Sequence, residues 1–353
     1  MATKMLLTPA VTGALLFALT ASPDRFRDPL LAQLKQYVST TNISRLITTL
    51  KWLVAVGLIR DVNTWLNDWA QNNFRFRSEK HRYDWPNEIA LITGATGGFG
   101  SLMSKELAAK GVKIIAVDLR DDLPADMKSN PKIHYYKCDI TEKQNVVELA
   151  QRVRSEHGDP SILINNAGIS GDGNISEQTQ EGLEKIFKIN VISHYYTVQE
   201  FLPAMARNKK GHVVTIASVA SFITPPGLVP YANTKVAAHG FHEGIRHEAR
   251  VFYNAPEIKF SVIHPTFAAT PMVAAFESDL KKAKAKVIQP EMVSNAVVKQ
   301  ILTGRGKQVI IAPGTAGLVY LRSLPYWISN AGLQAADAGI KKSLDRFAIT
   351  KGK

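Results

Sequence analysis

A single cysteine, Cys138, stands among the 353 residues, so no disulfide framework can hold this fold together. Acidic residues are also short: 30 Asp and Glu against 43 Lys and Arg leave a formal charge of +13. The nine histidines offer no ligand spacing for a metal. His242 and His247 bracket a stretch that resembles a zinc-protease helix, but with one residue too many. Side chains at i and i+5 point about 140° apart on a helix and cannot chelate as an i,i+4 pair does. Long hydrophobic runs are missing as well. Residues 10–20 and 46–59 are apolar, the second run interrupted by Thr48, Thr49 and Lys51. Both fall short of the roughly 20 residues that a spanning helix needs. Lys4 alone precedes the first run, and no strong small-x-small site follows it, which argues against a cleaved signal peptide. No solenoid repeat, low-complexity linker or nucleic-acid module is evident.

Seven apolar, strand-like runs alternate with helical stretches between residues 89 and 312. That alternation predicts an α/β fold: one Rossmann-type, doubly wound parallel sheet of about seven strands with right-handed crossovers. The first run, 89–92, ends in a glycine cluster holding Gly94, Thr96, Gly98, Phe99 and Gly100, and helical character follows over 101–110. Strand, glycine turn and helix start together make an anion site, because free helix N–H groups and the macrodipole face an incoming pyrophosphate. The second strand, 113–117, ends at Asp118, whose carboxylate would accept ribose hydroxyls and repel a 2′-phosphate. NAD(H) is therefore expected over NADP(H), with Arg120 two residues on softening the preference. Asp139, with Ile140 beside it, follows the strand 133–136 and is the candidate for the adenine edge. Cys138 reads as a small packed residue rather than a reactive thiol.

Tyr231 and Lys235 lie one helical turn apart on one face. An ammonium beside a phenol favours phenolate, so the tyrosine is expected below its usual pKa of about 10. A phenol tuned toward neutrality serves as general base in alcohol oxidation and general acid in carbonyl reduction. Ser218 follows the buried strand 213–216 and would hold the substrate oxygen at the ligand-binding edge of the sheet. Each feature alone has a bland reading: a helix face, a turn cap, a flexible glycine loop. Their order along the chain is what carries the chemistry.

That order resembles the short-chain dehydrogenase/reductase family over residues 86–315. Thr93 to Gly100 matches its TGxxxGxG turn, and Asn165-Asn166-Ala167-Gly168 its NNAG motif after the fourth strand. Asn190, Ser218, Tyr231 and Lys235 match its catalytic tetrad. The resemblance implies Tyr231 as acid/base, Ser218 as the substrate-oxygen anchor and Lys235 as the nicotinamide-ribose ligand. Asn190 would keep a helix kink and the water of a proton relay, and hydride would pass directly, with no metal. Asn166, Ala167 and Gly168 would line the cofactor, as would Pro265, Ala268 and Thr270 after the sixth strand. The family usually has Pro-Gly there; this chain has His264-Pro265-Thr266, with Thr270 in place for the carboxamide. This variant and the lead-in 84–89 resemble a membrane-associated subgroup containing 17β-hydroxysteroid dehydrogenase type 11, retinol dehydrogenase type 10 and fungal relatives. The subgroup implies a lipophilic alcohol or carbonyl substrate, residence on the cytoplasmic face of the endoplasmic reticulum or a lipid droplet, and room for a homodimer.

Charge divides the chain into three: +5 over residues 1–86, +4 over 316–353 and only +4 over the long centre. The organisation expected is a helical, membrane-associating extension (1–85), a catalytic domain (86–315) and a basic, partly apolar tail (316–353). Basic flanks beside apolar runs suit an anionic membrane better than a nucleic-acid groove. Two short apolar helices joined by the polar stretch 39–42 would make a monotopic anchor. The alternative is that they pack on the catalytic domain or form a dimer surface. Met272 and Phe276 are candidates for a pocket wall in a substrate loop, and the lysines of 281–286 for a solvated face. Two other functions fit the same sequence: an NADPH-dependent ketoreductase of secondary metabolism, and a scaffold that has lost catalysis.

Overall fold

A computed structural model describes residues 8–171, 173–274, 277–282 and 285–341 of the chain. Phe276, Ala283 and Lys284 lie outside the described residues. Contacts divide the chain into two units, Met1–Arg75 and Phe76–Lys353.

The larger unit is built on seven parallel strands: β1 Ile89–Thr93, β2 Lys113–Asp118, β3 Ile133–Lys137, β4 Ile162–Asn165, β5 His212–Ile216, β6 Lys259–Pro265 and β7 Lys307–Ile311. Their spatial order is β3-β2-β1-β4-β5-β6-β7, the doubly wound arrangement expected. The order reverses between β1 and β4, which opens a crevice at their carboxyl ends. Alternate residues fill opposite layers, as the period of two requires. Leu91, Ile115, Val117, Leu163 and Val213 face one core; Ala90, Ile92, Ile114, Ile162, Ile164 and Val214 face the other. Both faces are covered, so the strands read as unbroken apolar runs.

The segment 76–85 belongs with this unit, so the division falls ten residues before the boundary read from sequence. Its attachment explains why. Glu79 N–H donates to Gly304 O at 3.0 Å and Arg305 Nη2 to Phe76 O at 2.7 Å. The Glu79 carboxylate is buried beside the equally buried Lys259, 3.8 Å away, and takes Arg82 Nε at 2.8 Å. Charges buried this deeply persist only when paired.

The smaller unit is helical: Pro9–Thr20, Asp24–Tyr37 and Thr40–Gln71. The last differs from expectation, being 32 residues long instead of a short helix over 46–59. Thr48 and Thr49 do not break it, because their hydroxyls bond back to Ser44 O and Arg45 O. The joint falls at Val38 and Ser39, between the helices Asp24–Tyr37 and Thr40–Gln71; Ser39 caps the long helix, accepting Asn42 N–H at 3.3 Å, and the rest of the polar stretch 39–42 is its first turn. At 1.5 Å per residue this helix runs about 48 Å, and it is long and apolar enough to cross a membrane by length and composition.

Candidate active site

The nucleotide turn is over-determined by its backbone. Gly94 and Gly98 have φ of +63° and +50°, conformations that a side chain disfavours. A Cβ on Gly100 would lie 2.1 Å from Gly94 O, so the turn and the helix Gly98–Ala108 close on each other only through glycine. Asn166 Nδ2 donates to Thr93 O and Gly94 O at 2.9 and 3.0 Å. The amides of Asn166 and Ala167 donate to Thr93 Oγ1 at 3.0 and 3.1 Å. The loop after β4 is thereby stapled to the loop after β1, across the point where the strand order reverses.

Asp118, at the end of β2, spends its carboxylate within the turn. Oδ2 accepts Thr96 N–H at 3.0 Å and Thr96 Oγ1 at 2.7 Å, and Oδ1 accepts Leu119 N–H at 2.8 Å. Exposed Arg120 lies over the turn, its guanidinium 3.7 Å from where a Cβ on Gly97 would stand. Asp139 turns its Oδ1 to Thr141, accepting the amide at 2.9 Å and the hydroxyl at 2.8 Å, while Ile140 joins the core. Phe99 packs on the other core layer. Thr270 reaches the glycine turn from the far side, its Cγ2 3.6 Å from a Cβ position on Gly98. Ala268 is buried and bridges to Ile288. The cradle of glycines, the free helix start and the polar loops fit a dinucleotide.

The reacting end is assembled from four elements. Asn190 sits in a π-helical turn, Lys188–Ile192, where one extra residue per turn kinks the helix. Its Nδ2 donates to Ile169 O and Thr234 Oγ1 at 2.9 and 3.0 Å, and its Oδ1 accepts Ile169 N–H at 2.9 Å. Gly168 lies between Asn190 and Lys235: a Cβ there would be 3.3 Å from Asn190 Oδ1 and 3.5 Å from Lys235 Nζ. Tyr231 and Lys235 stand on the helix Val229–Val251, with Nζ 5.5 Å from the centre of the tyrosine ring. Lys235 Nζ donates to Ile216 O at 3.0 Å, which ties it to the end of β5. Ser218 follows that strand, donating to Pro265 O at 3.4 Å and accepting Ala220 N–H at 3.1 Å.

Electrostatics here depart from the sequence expectation. Burial holds the Tyr231 phenol above its ordinary value, and the Ser218 side chain beside it only partly opposes this. Burial also pushes Lys235 down to about 8. Burial disfavours the charged form of each group, phenolate and ammonium alike, and this outweighs the attraction on which the lower tyrosine value rested. Cys138 is buried and its thiol is pushed up to about 11 by desolvation, then by Asp139. It packs; it is not poised as a nucleophile.

Thr93, which opens the glycine motif, is the double acceptor of the staple. Two further residues hold the site without belonging to any motif: Thr234 accepts from Asn190, and Ser221 donates to Lys235 O at 2.9 Å. Threonine and serine are too common near strand ends and helix starts for spacing to single these two out. His242 is buried and His247 exposed on one helix, as the angle between i and i+5 requires. Met272 is exposed. Two surface cavities, of about 530 and 130 Å³, lie away from this edge, one against Glu106, Lys110 and Lys299, the other against Glu88 and Lys210.

A glycine-cradled dinucleotide site and a Ser-Tyr-Lys cluster, side by side at the carboxyl edge of a parallel sheet, define a nicotinamide-dependent oxidoreductase fold. Residues 88–281 match the short chain dehydrogenase family, and the chain belongs to that family. It is 37% identical over 213 residues to Dehydrogenase RED2 of Cochliobolus heterostrophus, covering 60% of this chain and 78% of that protein. With Estradiol 17-beta-dehydrogenase 11 of Homo sapiens it shares 33% over 252 residues, 70% of this chain and 82% of the other. With the human Epidermal retinol dehydrogenase 2 the figures are 32% over 283 residues, 78% and 89%. The ligand-free aldohexose dehydrogenase of Thermoplasma acidophilum has the same fold, with TM-score 0.55 and 24% identity over 64% of this chain and 94% of that one. The chain is thus an oxidoreductase acting on CH–OH groups, of a family that uses a nicotinamide dinucleotide.

Proposed function

We propose that this protein interconverts a lipophilic alcohol and its carbonyl, with Tyr231 as acid/base, and works attached to a membrane. The observation that carries the chemistry is the convergence of Asn190, Ser218, Tyr231 and Lys235 beside the glycine turn. A bound nicotinamide ring supplies or accepts the hydride. Ser218 holds the substrate oxygen, and Tyr231 gives that oxygen a proton in reduction or removes one in oxidation. Lys235, with a value near 8, keeps a cation available near the phenol at neutral pH. Gly94, Gly98 and Gly100 let the pyrophosphate reach the backbone, and Thr270 meets the nicotinamide end.

Membrane attachment is supported by the smaller unit. On the helix Thr40–Gln71, Trp52, Val56, Ile59, Val62 and Leu66 recur at helical spacing and are exposed, Trp52 by 69% and Ile59 by 70%. An apolar stripe of this length costs too much in water to be an ordinary surface. The tail adds a second patch. It leaves β7 from the same edge as the site, and exposes Tyr320, Leu324, Tyr326 (82%) and Trp327 (74%) beside Arg322. Aromatic residues with basic neighbours suit a headgroup interface. The names of the human relatives, a steroid and a retinol dehydrogenase, support a lipophilic substrate for this chain too. The cytoplasmic leaflet of the endoplasmic reticulum, or a lipid droplet, is the proposed location.

For the cofactor, the negative charge of Asp118 favours NAD(H). A second reading, NADPH-dependent carbonyl reduction, has its own support: the Asp118 oxygens are already bonded within the turn, and the Arg120 guanidinium lies over Gly97, a ready partner for a 2′-phosphate. The test is turnover of detergent-solubilised wild type and Tyr231→Phe with each cofactor, on steroid, retinoid and fatty alcohols and their carbonyls. Tyr231-dependent oxidation with NAD supports the first reading. Carbonyl reduction selective for NADPH replaces it with the second, and turnover that survives in Tyr231→Phe sinks the acid/base role.

A further inference from the structure

The pairing of β5 with β6 ends just before the site. Lys259 N–H donates to Gly211 O at 2.8 Å at one end, and Ala217 N–H to Ile263 O at 2.9 Å at the other. In a parallel ladder the next donor toward β5 is the backbone nitrogen of residue 265. That residue is proline and has no N–H to give. Ser218 therefore begins where the sheet stops holding the chain. At that point a side chain takes over: His264 Nδ1 lies 2.9 Å from Ser218 O. A carbonyl only accepts, so Nδ1 bears the hydrogen. Nε2 is then the acceptor, and the Gln308 amide nitrogen stands 3.4 Å from it. The ring is fully buried and held between Phe222 and His239, with centroids 4.7 and 4.8 Å away. Burial pushes His264 down to about 3, which keeps the imidazole neutral and its two nitrogens distinct. Its neighbour Pro265 accepts from the Ser218 hydroxyl at 3.4 Å, so adjacent residues of β6 grip the serine at backbone and side chain.

We propose that His264 is a positioning residue: as the Nδ1–H tautomer it holds the chain one residue past the missing ladder bond and fixes Ser218 where its hydroxyl orients the substrate oxygen. This rests on Ser218 having that part in the reaction. His264 touches neither substrate nor cofactor; it acts through Ser218 alone. The effect belongs in the rate of the chemical step, because the tether ends on Ser218 and not on the glycine turn that takes the pyrophosphate.

The experiment uses the full-length, detergent-solubilised protein. His264→Phe keeps an aromatic ring in the stack and removes the donor; His264→Asn returns an N–H donor near the Nδ1 position. The expected result is a kcat about tenfold lower for the phenylalanine variant, the loss of one useful hydrogen bond, with NADH binding by fluorescence unchanged. The asparagine variant should recover to within about threefold of wild type, since the donor rather than the ring is what is needed. A phenylalanine variant as fast as wild type overturns the proposal. So does an equal loss of rate and of NADH binding in both variants, which would mark a packing residue only. Independently of turnover, ¹⁵N spectra of histidine-labelled wild type, assigned by comparison with His264→Asn, report which ring nitrogen is protonated. Hydrogen on Nδ1 supports the tether and hydrogen on Nε2 overturns it, even if His264→Phe does not fold. A wild type inert on every substrate would sink the functional reading, while the ring nitrogens still decide the tether.

Discussion

The two units of this chain treat the same amino acids in opposite ways. In the larger one, Leu91, Ile92, Ile114 and Ile162 point into two sealed layers on either side of the sheet, with no exposure to water. In the smaller one, Trp52, Val56, Ile59 and Leu66 point outward. At about 25 cal/mol per Å² of apolar surface, burial drives the first arrangement in water. The same coefficient penalises the second, and bilayer contact removes the penalty. The larger unit is therefore a fold that water specifies, and the proposed function gives the smaller one a lipid environment.

The largest way to sharpen the contrast is to silence the chemistry without touching the proposed anchor. Tyr231→Phe should lower turnover by about 10²- to 10⁴-fold while NADH binding and vesicle flotation stay as in wild type. Matching losses of binding and rate would show that the tyrosine holds the cofactor instead. Gly100→Ala should come next. Its Cβ would meet Gly94 O at 2.1 Å, so dinucleotide binding should be lost and stability fall by about 1–3 kcal/mol. An unfolding midpoint equal to wild type, with full NADH affinity, would show that the turn relaxes.

The converse experiment breaks the proposed anchor and spares the chemistry. Trp52→Glu with Ile59→Glu should shift the protein from floated liposomes to the supernatant, with activity on a water-soluble carbonyl unchanged. Persistent flotation would mean that this stripe is not what meets lipid. A smaller effect is expected from Asp118→Ala: the NAD/NADP ratio of kcat/KM should narrow by about tenfold, the order of one close charge interaction. An unchanged ratio would pass specificity to Arg120.

A separate effect concerns pH and falls on the larger unit. Burial pushes His194, His212 and His264 down to about 3, against an ordinary 6.5. The unfolded chain therefore takes up protons first. Their contribution to stability is complete above about pH 6.5 and is lost as the pH falls from there toward 3. The thermal midpoint should be lower at pH 5 than at pH 7.5, and less so in His212→Gln. Equal midpoints at the two pH values would mean that these rings are solvated.

Much of the catalytic unit was legible because it obeys local rules. Strand period, glycine turns and the Tyr-x-x-x-Lys interval each arise from the geometry of a few neighbouring residues, and all seven strands stand where the apolar runs are. The helix Thr40–Gln71 was underestimated because hydropathy counts Thr48 and Thr49 as interruptions, whereas their hydroxyls are satisfied within the helix itself. The shift of the Tyr231 phenol ran the other way from expectation for a related reason. Sequence reports that an ammonium is near, but not how dry the site is.

By itself, then, the sequence determined the class of fold and the family, and it nominated the groups proposed to move a proton, since these depend on residue type and on spacing along the chain. Only the tertiary structure decided how those groups are held. Thr93 staples two loops 73 residues apart, Glu79 pairs with a buried lysine on β6, and His264 grips Ser218 from a neighbouring strand. Each of these joins residues far apart in sequence, and its strength depends on burial, which exists only once the sheet has brought the elements together.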